Sequence, residues 1–480
     1  MNFKGRTVAI LVGTAIVLSS LLTMTARDLP IFASSGQASA GSGGLSTKEV
    51  QKLSSVLQVI ESKYFKEVDR NKLVNGAVEG MFTALGDPYS TYMQKQEADS
   101  FNVSVEGGFT GIGAEVTMEE GKVTIVSPIK DTPAERAGLK PKDVLITVDG
   151  TNLTGLTLNQ AVEKIRGPRG STVKIEVKRP GSADTMVFNI VRDKVDLETV
   201  YPSMQEGKVG YIEIRQFSTN THEHFVKALD ELEAKGMKGL VIDVRNNPGG
   251  VLDIVEKMTQ PFIQKGKPLL QVEYRNKERE VHKSEGTAKP KTYPIAILTN
   301  KGSASASEIM ASALQESAGV KIVGEHTFGK GTVQTSYTTS GDEGSLIKIT
   351  IAKWLTPKGN WIHQKGIEPD VPVKQPDYFN AAPVVKDKTL KLDMNSSDVQ
   401  NVQVILGGLG YKLDRKDGYF SASTETALKA FQKQHKLPVN GQVDKQTAEK
   451  LELEIIKAMR EPKNDAQLKA AIQTVQKEIR

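Results

Sequence analysis

Two residues of this sequence have the chemistry of a nucleophile and its base. Ser305 lies in a run of small residues at 302–307, and Lys330 follows it by 25 positions, held between Gly329 and Gly331. A serine hydroxyl attacks a peptide carbonyl only if a neighbouring group takes its proton, and a lysine amine can take it where burial keeps the amine neutral. The pair predicts covalent catalysis in a buried site.

A predicted helix must position the serine. Apolar residues recur after it at helical spacing, at Ile309, Met310, Ala313 and Leu314. The helix should begin at about Ala306, where free backbone N–H groups and the positive end of the helix dipole would stabilise an oxyanion. The stretch also fits a capping box, in which Ser305 and Glu308 only satisfy each other's backbone donors, and this structural use of serine is the commoner one.

Two further segments belong with this pair. Residues 332–335 are mostly β-branched and predict a strand, in which Gln334 would face the same side as Lys330 and could hydrogen-bond its amine. Upstream, the apolar run 240–244 predicts a buried strand that leads into a turn, 245–250, ending in two glycines. Such glycines let a backbone N–H approach a substrate closely, although an ordinary strand-to-helix loop has the same pattern.

Together these segments resemble the carboxy-terminal processing proteases, the serine peptidase family S41 that includes the tail-specific proteases. The resemblance is most specific at residues 243–250, 302–309, 329–334 and 366–370. It implies Ser305 as nucleophile, Lys330 as general base and Gln334 as the residue that orients the lysine. The implied oxyanion hole consists of backbone N–H groups, from Ala306 and from Gly249 or Gly250.

Other residues near the serine are weaker candidates. An acidic residue assists in some members of the family, and the matching positions here are Glu308 and Glu316. Both rank below Gln334, because an adjacent carboxylate would favour the charged lysine, which cannot act as a base. His326 is the one rival base near the serine, and the sequence has neither a His-Glu-x-x-His metal motif nor a Gly-x-Ser-x-Gly elbow.

Composition excludes several function classes. The chain of 480 residues has no cysteine, which rules out thiol catalysis, thiolate zinc sites and disulfides, and we expect neither a metal nor a cofactor. Its net charge of +6 is spread without long basic blocks, so nucleic acid is not an expected partner. The length suggests roughly three domains of about 150 residues each.

The N-terminus carries the pattern of an export signal. Lys4 and Arg6 precede an apolar stretch at residues 7–26, and about 20 residues are enough to span a bilayer. Residues 1–45 would then serve as membrane anchor and linker, unless the signal is cleaved after the small residues 38–40. We expect an extracytoplasmic protein, anchored in the cell membrane or secreted toward the cell wall.

A helical region and a PDZ-like domain follow. At residues 46–97 the apolar pattern is helical and resembles the family's N-terminal region, which implies dimer contacts and hence a homodimer. At 98–192 a glycine loop, a strand and a helix occur in the order of a PDZ domain, the family's usual insertion. Because PDZ domains bind peptide C-termini, protein C-terminal tails are the expected substrates.

Four residues of the PDZ-like domain are predicted to bind the peptide: Gly111, Ile112, Gly113 and Leu158. The three loop residues would hold the terminal carboxylate through their backbone N–H groups, and Leu158 would line the groove. Arg166 ends the helix that Leu158 begins. We expect Arg166 to report ligand binding to the protease domain.

The remaining sequence predicts a catalytic core and a small C-terminal module. At 193–380 strands and helices alternate in a mixed α/β pattern, and the family implies a crotonase-like protease core. At 391–456 an internal repeat, offset by 23 positions, resembles a small all-α peptidoglycan-binding domain, which serves either glycan binding or only oligomerisation. Residues 457–480 form a C-terminal helix whose apolar stripe would pair with another subunit or pack on its own chain.

These observations predict an exported serine endopeptidase. It would bind protein C-terminal tails in its PDZ domain and cleave them through an acyl-enzyme, in signalling proteolysis such as sporulation. A catalytically inactive scaffold that binds peptide tails and cell wall is the first alternative. An acyl-CoA hydratase or hydrolase on the same fold is the second, although an export signal argues against a cytosolic substrate.

Overall fold

A computed structural model describes residues 44–180, 182, 184–339 and 344–479. The predicted export segment at 7–26 lies outside these residues, and within them no helix combines the length and apolar character that a membrane span requires. The chain divides into two compact units. Of the described residues, one unit contains those up to Ser100 together with those between Gln334 and Thr350, and the other contains those between Phe101 and Val333 together with those from Ile351 onward.

The first unit is built from helices and a short antiparallel sheet. Its helices are Thr47–Lys63, Arg70–Ala84 and the beginning of Lys95–Glu106. A capping box starts the first helix, since the Ser46 and Glu49 side chains each accept the other's backbone N–H. The strand Thr91–Met93 pairs antiparallel with the first residues of Leu346–Leu355, and Thr332–Thr338 also pairs with that strand.

Within the second unit, residues 108–196 form an α/β body with its own hydrophobic core. Its main sheet has the strand order Ala114–Glu119, Lys122–Pro128, Val144–Val148, Thr172–Lys178 and Thr185–Val191, with Thr151–Asn152 beside the third strand. Its helices are Pro133–Ala137 and Leu158–Ile165. The strand Gly108–Gly111 pairs antiparallel with Asp193–Asp196, so the chain enters and leaves this body on adjacent strands.

A six-stranded sheet forms the protease core. Its order is Val200–Gln205, Val209–Ile214, Gly239–Asp243, Ile295–Thr299, Lys321–Gly324 and Val371–Pro372, and only the first pair is antiparallel. Leu240 and Ile242 face one side of the sheet and Val241 faces the other, and all three are fully buried. Helices cover both faces, which explains why residues 240–242 are all apolar and do not alternate with polar ones.

Three helices pack on one face of that sheet: Thr221–Ala234, Leu252–Thr259 and Ala306–Ala318. A short 3-10 helix, Gln260–Phe262, follows the second of them. The hairpin of Pro268–Tyr274 and Arg279–Lys283 adds to Ala352–Leu355 of the long strand, forming a second sheet. The mixed α/β class predicted for the core is confirmed by this alternation.

The C-terminal module is helical, with the helices Ser397–Gly408, Ala422–Gln434 and Lys445–Arg460 and two 3-10 helices, Asp377–Asn380 and Pro462–Asn464. The repeat in the sequence corresponds to two equivalent turns, each held by a buried glutamine. Gln403 accepts the Gly418 N–H, and Gln432 accepts the Gly441 N–H, at 3.0 and 2.9 Å. The two halves therefore share one hydrogen-bonding scheme.

The terminal helix, Ala466–Glu478, packs on the core of its own chain. Its residues Leu468, Ala471 and Val475 cover the face of the six-stranded sheet that the other helices leave open, where they meet Val241 and Leu298. The sequence left two uses open for the apolar stripe at 457–480. The structure shows the intramolecular one.

Candidate active site

Ser305 immediately precedes the helix Ala306–Ala318, as predicted. Its φ of 54° and ψ of −113° lie outside the regions that non-glycine residues favour. Such a conformation persists only where the surroundings fix the backbone, and it is typical of functional sites. Most residues of the helix are buried, so the serine has a rigid support.

The carboxylate of Glu308 joins the two halves of the site. Its Oε2 accepts the backbone N–H of Ser305 and that of Lys330, each at 2.8 Å. Its Oε1 accepts the Gly329 N–H at 2.7 Å and the Thr327 hydroxyl at 2.6 Å. The side chain is fully buried, and these four donors satisfy it. One oxygen thus holds the predicted nucleophile and the predicted base, whose backbone nitrogens lie at most two hydrogen-bond lengths apart.

The rival candidates have other surroundings. Ser305 and Glu308 stand in the expected capping box, with the Glu308 carboxylate accepting the Ser305 N–H. The same carboxylate also accepts two backbone N–H groups and a hydroxyl of the lysine loop, so it holds two loops together. Glu316 instead accepts the Lys358 N–H at 2.7 Å. His326 is exposed and forms no hydrogen bond within the described residues.

Two tryptophans hold the loop that carries Lys330. Trp354 Nε1 donates to the Lys330 carbonyl at 2.7 Å, and Trp361 Nε1 donates to the Gly331 carbonyl at 2.8 Å. A Cβ on Gly331 would lie 2.8 Å from Trp361 Nε1, so this close approach requires glycine. These are the two tryptophans of the sequence, and no spacing in it predicted their role.

The late motif at 366–370 is tied to the same network. Thr327 Oγ1 accepts the Ile367 N–H at 2.6 Å while donating to the buried carboxylate. Asp370 accepts the Ile322 N–H at 2.9 Å, at the start of a core strand. The motif therefore anchors the segment that leads to the lysine loop.

Gln334 is assigned to the first unit, whereas Lys330 is assigned to the second. The Gln334 side-chain amide donates to Thr350 Oγ1 at 3.2 Å, and the Thr350 N–H donates to Ser90 Oγ at 2.9 Å. Ser90 in turn donates to Asp87 Oδ2 at 2.5 Å. This chain of bonds fixes the glutamine amide, while its interaction with the lysine stays a prediction.

The glycine turn lies against the serine loop. A Cβ on Gly249 would lie 2.8 Å from the Ser305 Cβ and 2.9 Å from the Ala306 nitrogen. A Cβ on Gly250 would lie 2.0 Å from the Phe217 carbonyl oxygen. Neither position accepts a side chain, and the φ angles of 106° and 151° also favour glycine.

The backbone donors distinguish the two glycines. The Gly249 N–H donates to Asn247 Oδ1 at 2.9 Å. For the N–H groups of Gly250 and Ala306, no acceptor is present in the described part of the chain. Asn247 also fixes the turn to the serine loop, because its carbonyl accepts the Ala304 N–H at 3.0 Å. Of the two candidates, Gly250 is the glycine with an available donor.

The predicted carboxylate loop of the PDZ-like domain lies between two strands. Gly111 ends the strand Gly108–Gly111, and Gly113 has a φ of 78°. The Ile112 carbonyl accepts the Ala134 N–H of the helix Pro133–Ala137 at 2.7 Å, and the Gly113 carbonyl accepts the Ile129 N–H at 2.9 Å. Leu158 starts the second helix of this body and packs at the edge of its core.

Arg166 lies directly after that helix, next to the strand that leads into the loop. Its guanidinium stacks over the Phe109 ring, with its central carbon 4.9 Å from the ring centroid. Its Nε is buried, and within the described residues it has no hydrogen-bond partner. The predicted sensor residue therefore contacts the strand before the carboxylate loop, while its regulatory role stays a prediction.

Comparison with known proteins decides the family. A model of peptidase family S41 matches residues 208–373, which include Ser305, Lys330 and Gln334. The carboxy-terminal processing protease CtpB of Bacillus subtilis (strain 168) is 49% identical over 431 residues, 89% of each chain. This chain belongs to the carboxy-terminal processing proteases of family S41.

Further matches cover most of the remaining protease. Models of the CtpB N-terminal domain, a PDZ domain and a peptidoglycan binding domain match residues 12–97, 124–179 and 395–451. The carboxy-terminal processing protease CtpA of the same Bacillus subtilis strain is 42% identical over 466 residues, 97% of each chain. A solved structure of the photosystem II D1 C-terminal processing protease is 27% identical, with a TM-score of 0.39 over 69% of this chain and 94% of that chain.

Sequence reasoning missed several residues that hold the site of the protease. Asn247 lay inside the glycine turn, and a buried amide after a strand could have drawn attention to it. Thr327, Trp354 and Trp361 had no such signal, because their contacts depend on strands that are distant in sequence. Mutation of these residues would test whether they position the site.

Proposed function

We propose that this protease cleaves protein chains near their C-termini with Ser305 as nucleophile, Lys330 as general base and Gln334 as the residue that orients the lysine. The observation that carries the proposal is the shared Glu308 oxygen, which holds the Ser305 and Lys330 backbones together. Lys330 is partly buried, and burial favours the neutral form of an amine.

The chemistry follows from these positions. Lys330 Nζ takes the proton of the Ser305 hydroxyl, and the serine oxygen attacks the carbonyl carbon of the scissile peptide. The N–H groups of Ala306 and Gly250 then donate to the tetrahedral oxyanion. Lys330 returns the proton to the leaving amine, and an acyl-enzyme remains. Water then gives a proton to the neutral lysine and attacks the ester carbonyl, and the lysine returns that proton to the Ser305 oxygen as the C–O bond breaks and the new C-terminus leaves.

The PDZ domain supports the choice of substrate end. A free C-terminal carboxylate would accept the N–H groups of Gly111, Ile112 and Gly113, while the last apolar side chain would lie near Leu158. Arg166 would report this binding to the core. We expect a peptide with a free C-terminus to bind and its amide to bind at least about tenfold more weakly, since it lacks the charge that the loop recognises. Peptide-stimulated cleavage that stays unchanged in Arg166→Ala would contradict the sensor role.

Location and assembly extend the proposal. The segment at 7–26 would export the protease and anchor it at the membrane, and the C-terminal module would bind peptidoglycan. The helix Thr47–Lys63 buries none of its residues, and Val50, Leu53, Val56 and Val59 are 43–59% exposed. A second copy of this helix would cover that apolar stripe in a homodimer. The protease would act in signalling proteolysis such as sporulation. Loss of the dimer in Leu53→Asp on size-exclusion chromatography is the expected result.

Digestion of casein by the purified protein tests the mechanism. Ser305→Ala and Lys330→Ala should each lose at least about a thousandfold in kcat, because residues that act as a catalytic unit fail together. His326→Ala should retain activity within about twofold, since the exposed imidazole takes no part. Substantial activity in Lys330→Ala with none in His326→Ala would reassign the base to the histidine.

A further inference from the structure

A buried ion cluster connects the glycine turn at 245–250, called the oxyanion turn below, to the C-terminal segment. Arg245, the residue that opens the turn, donates to both oxygens of Asp465, from Nη1 at 3.0 Å and from Nη2 at 2.8 Å. Its Nε donates to both oxygens of Asp243 at 3.0 Å, and its backbone N–H donates to Asp243 Oδ1 at 2.9 Å. Paired bonds of this kind fix the plane of the guanidinium as well as its position.

The cluster is nearly closed to water, and its groups are satisfied. The side chains of Arg245, Asp243 and Asp465 are 12%, 4% and 13% exposed. The Tyr211 hydroxyl donates to Asp243 Oδ2 at 2.8 Å, and Gln467 Oε1 accepts from Arg245 Nη1 at 3.0 Å. Loss of the Asp465 charge would leave Arg245 paired with Asp243 alone, so the Nη1 end of the guanidinium would lose its ionic partner and its fixed position.

Asp465 is the place where the C-terminal module rejoins the core. It caps the terminal helix by accepting the Leu468 N–H at 2.8 Å. Gln375, which precedes the module, donates to Asp465 Oδ1 at 2.6 Å and accepts the Ala466 N–H at 3.1 Å. The entry and the exit of the module are therefore bound to each other and to the residue that opens the turn.

We propose that Asp465 is a positioning residue for the protease site, acting through Arg245 on the oxyanion turn. From Arg245 the chain reaches Gly250 in five positions, and Asn247 on the way binds the serine loop. A displaced guanidinium moves the turn, and with it the N–H group that the developing oxyanion needs. Because that bond exists only in the transition state, the loss falls on kcat and leaves KM unchanged.

This inference rests on the proposed function, and it gives the C-terminal segment a part in catalysis besides any contact with the cell wall. Asp465→Asn tests it in the full chain, with Asp444→Asn as the matched control. Asp444 also caps a helix, accepting the Thr447 N–H at 2.8 Å, but it lies inside the module. Asparagine caps helices as well as aspartate does, so both variants keep the cap.

For fluorescein-labelled casein, Asp465→Asn should lower kcat about tenfold and leave KM within about twofold, as a small misplacement of a catalytic group predicts. Asp444→Asn should change neither constant. A peptide aldehyde forms a hemiacetal with the serine and uses the oxyanion hole, so its inhibition constant should rise by the factor that kcat loses. If Asp465 served folding alone, Asp465→Asn would lower the melting temperature and leave kcat, KM and the inhibition constant unchanged.

A double-mutant cycle separates action through Arg245 from any other route. In an Arg245→Ala background, Asp465→Asn should cause no further loss of kcat, whereas independent effects would multiply. Should either variant fail to fold, Gln375→Leu removes one contact of Asp465 and keeps its charge. We expect about a threefold loss of kcat there, with KM unchanged.

Several results would overturn the inference. These are an unchanged kcat in Asp465→Asn or in its Gln375→Leu substitute, an equal loss in Asp444→Asn, or multiplying losses in the cycle. If the unaltered enzyme shows Ser305-dependent cleavage with any of these results, the proposed function stands and the inference alone fails. Cleavage that does not depend on Ser305 would contradict both the proposed function and the inference about Asp465.

Discussion

The Glu308 carboxylate accepts four hydrogen bonds, all from its own serine loop and from the segment that carries Lys330. A hydrogen bond to a charged group contributes about 1.5–3 kcal/mol, and a buried donor left without its acceptor costs a similar amount. Because Oε2 serves the Ser305 and Lys330 N–H groups together, a change at this one residue reaches both predicted catalytic groups.

Glu308→Gln should therefore damage stability and catalysis together. The glutamine amide has only one acceptor oxygen, and its NH2 group would face groups that donate hydrogen bonds. About half of the four hydrogen bonds would therefore be lost. We expect the free energy of unfolding to fall by about 2–4 kcal/mol and kcat to fall at least about tenfold. Urea denaturation and casein cleavage measure these effects. Glu316→Gln, with one backbone contact, is the control, and equal effects in the two variants would contradict the positioning role.

The glycine turn gives a second prediction for a single residue. A methyl group at Gly250 would lie 2.0 Å from the Phe217 carbonyl oxygen, which backbone movement alone can relieve. Gly250→Ala should lower kcat at least about a hundredfold, as loss of one oxyanion donor does. Gly80→Ala, in a helix with open space around it, should leave kcat unchanged. An active Gly250→Ala enzyme would place the second donor elsewhere.

At the scale of elements, the helix Leu252–Thr259 links the oxyanion turn to the hairpin of the second sheet. It begins two residues after Gly250, and its Glu256 carboxylate lies 2.7 Å from His282 Nδ1 on the hairpin strand Arg279–Lys283. The hydrogen bond to Glu256 raises the pKa of His282 above its ordinary value, against the opposing effect of burial. The hairpin is thus fastened to the helix by a pair that responds to pH.

This pair predicts a direction of pH dependence. The pKa of His282 is higher in the folded chain than the value of about 6.5 in the unfolded chain, so its protonated form stabilises the fold. The full stabilisation is present at pH values below the unfolded pKa. The stabilisation is lost as the pH rises through the folded pKa. The difference in unfolding free energy between the unaltered protein and His282→Gln should therefore be larger at pH 5.5 than at pH 8.5, as urea denaturation at both values would show. An increase toward pH 8.5 would contradict the pairing, and His326→Gln serves as the control.

At the scale of the whole molecule, the six-stranded sheet is completed by the last helix of the described chain. The C-terminal module lies in sequence between Val371–Pro372, the last strand of that sheet, and the terminal helix Ala466–Glu478, which packs on the sheet. The helix that covers the second apolar face of the sheet therefore follows the whole C-terminal module in sequence. We infer that the C-terminal segment is part of the folded core.

Val475→Asp tests this closure. The valine is 1% exposed against the sheet, and a buried unpaired carboxylate should lower the free energy of unfolding by roughly 3 kcal/mol. Ile456→Asp, at a side chain 44% exposed on the preceding helix, should change it by less than about 0.5 kcal/mol. Thermal and urea denaturation give these values. If Val475→Asp instead separated subunits and left each one stable, the terminal helix would belong to an interface.

The sequence by itself determined the local features of this protease: the helix that begins at Ala306, the buried strand predicted at 240–244 and found at Gly239–Asp243, and the two glycines that end its turn. Each follows from side-chain periodicity or from steric limits within a few residues, which any fold must obey. Only the tertiary structure decided that Glu308 serves the lysine loop 22 positions away and that Asp465 reaches Arg245 across 220 positions. The free energy of such contacts depends on burial and on distances that packing sets, and neither is recorded in the spacing of residues along the chain.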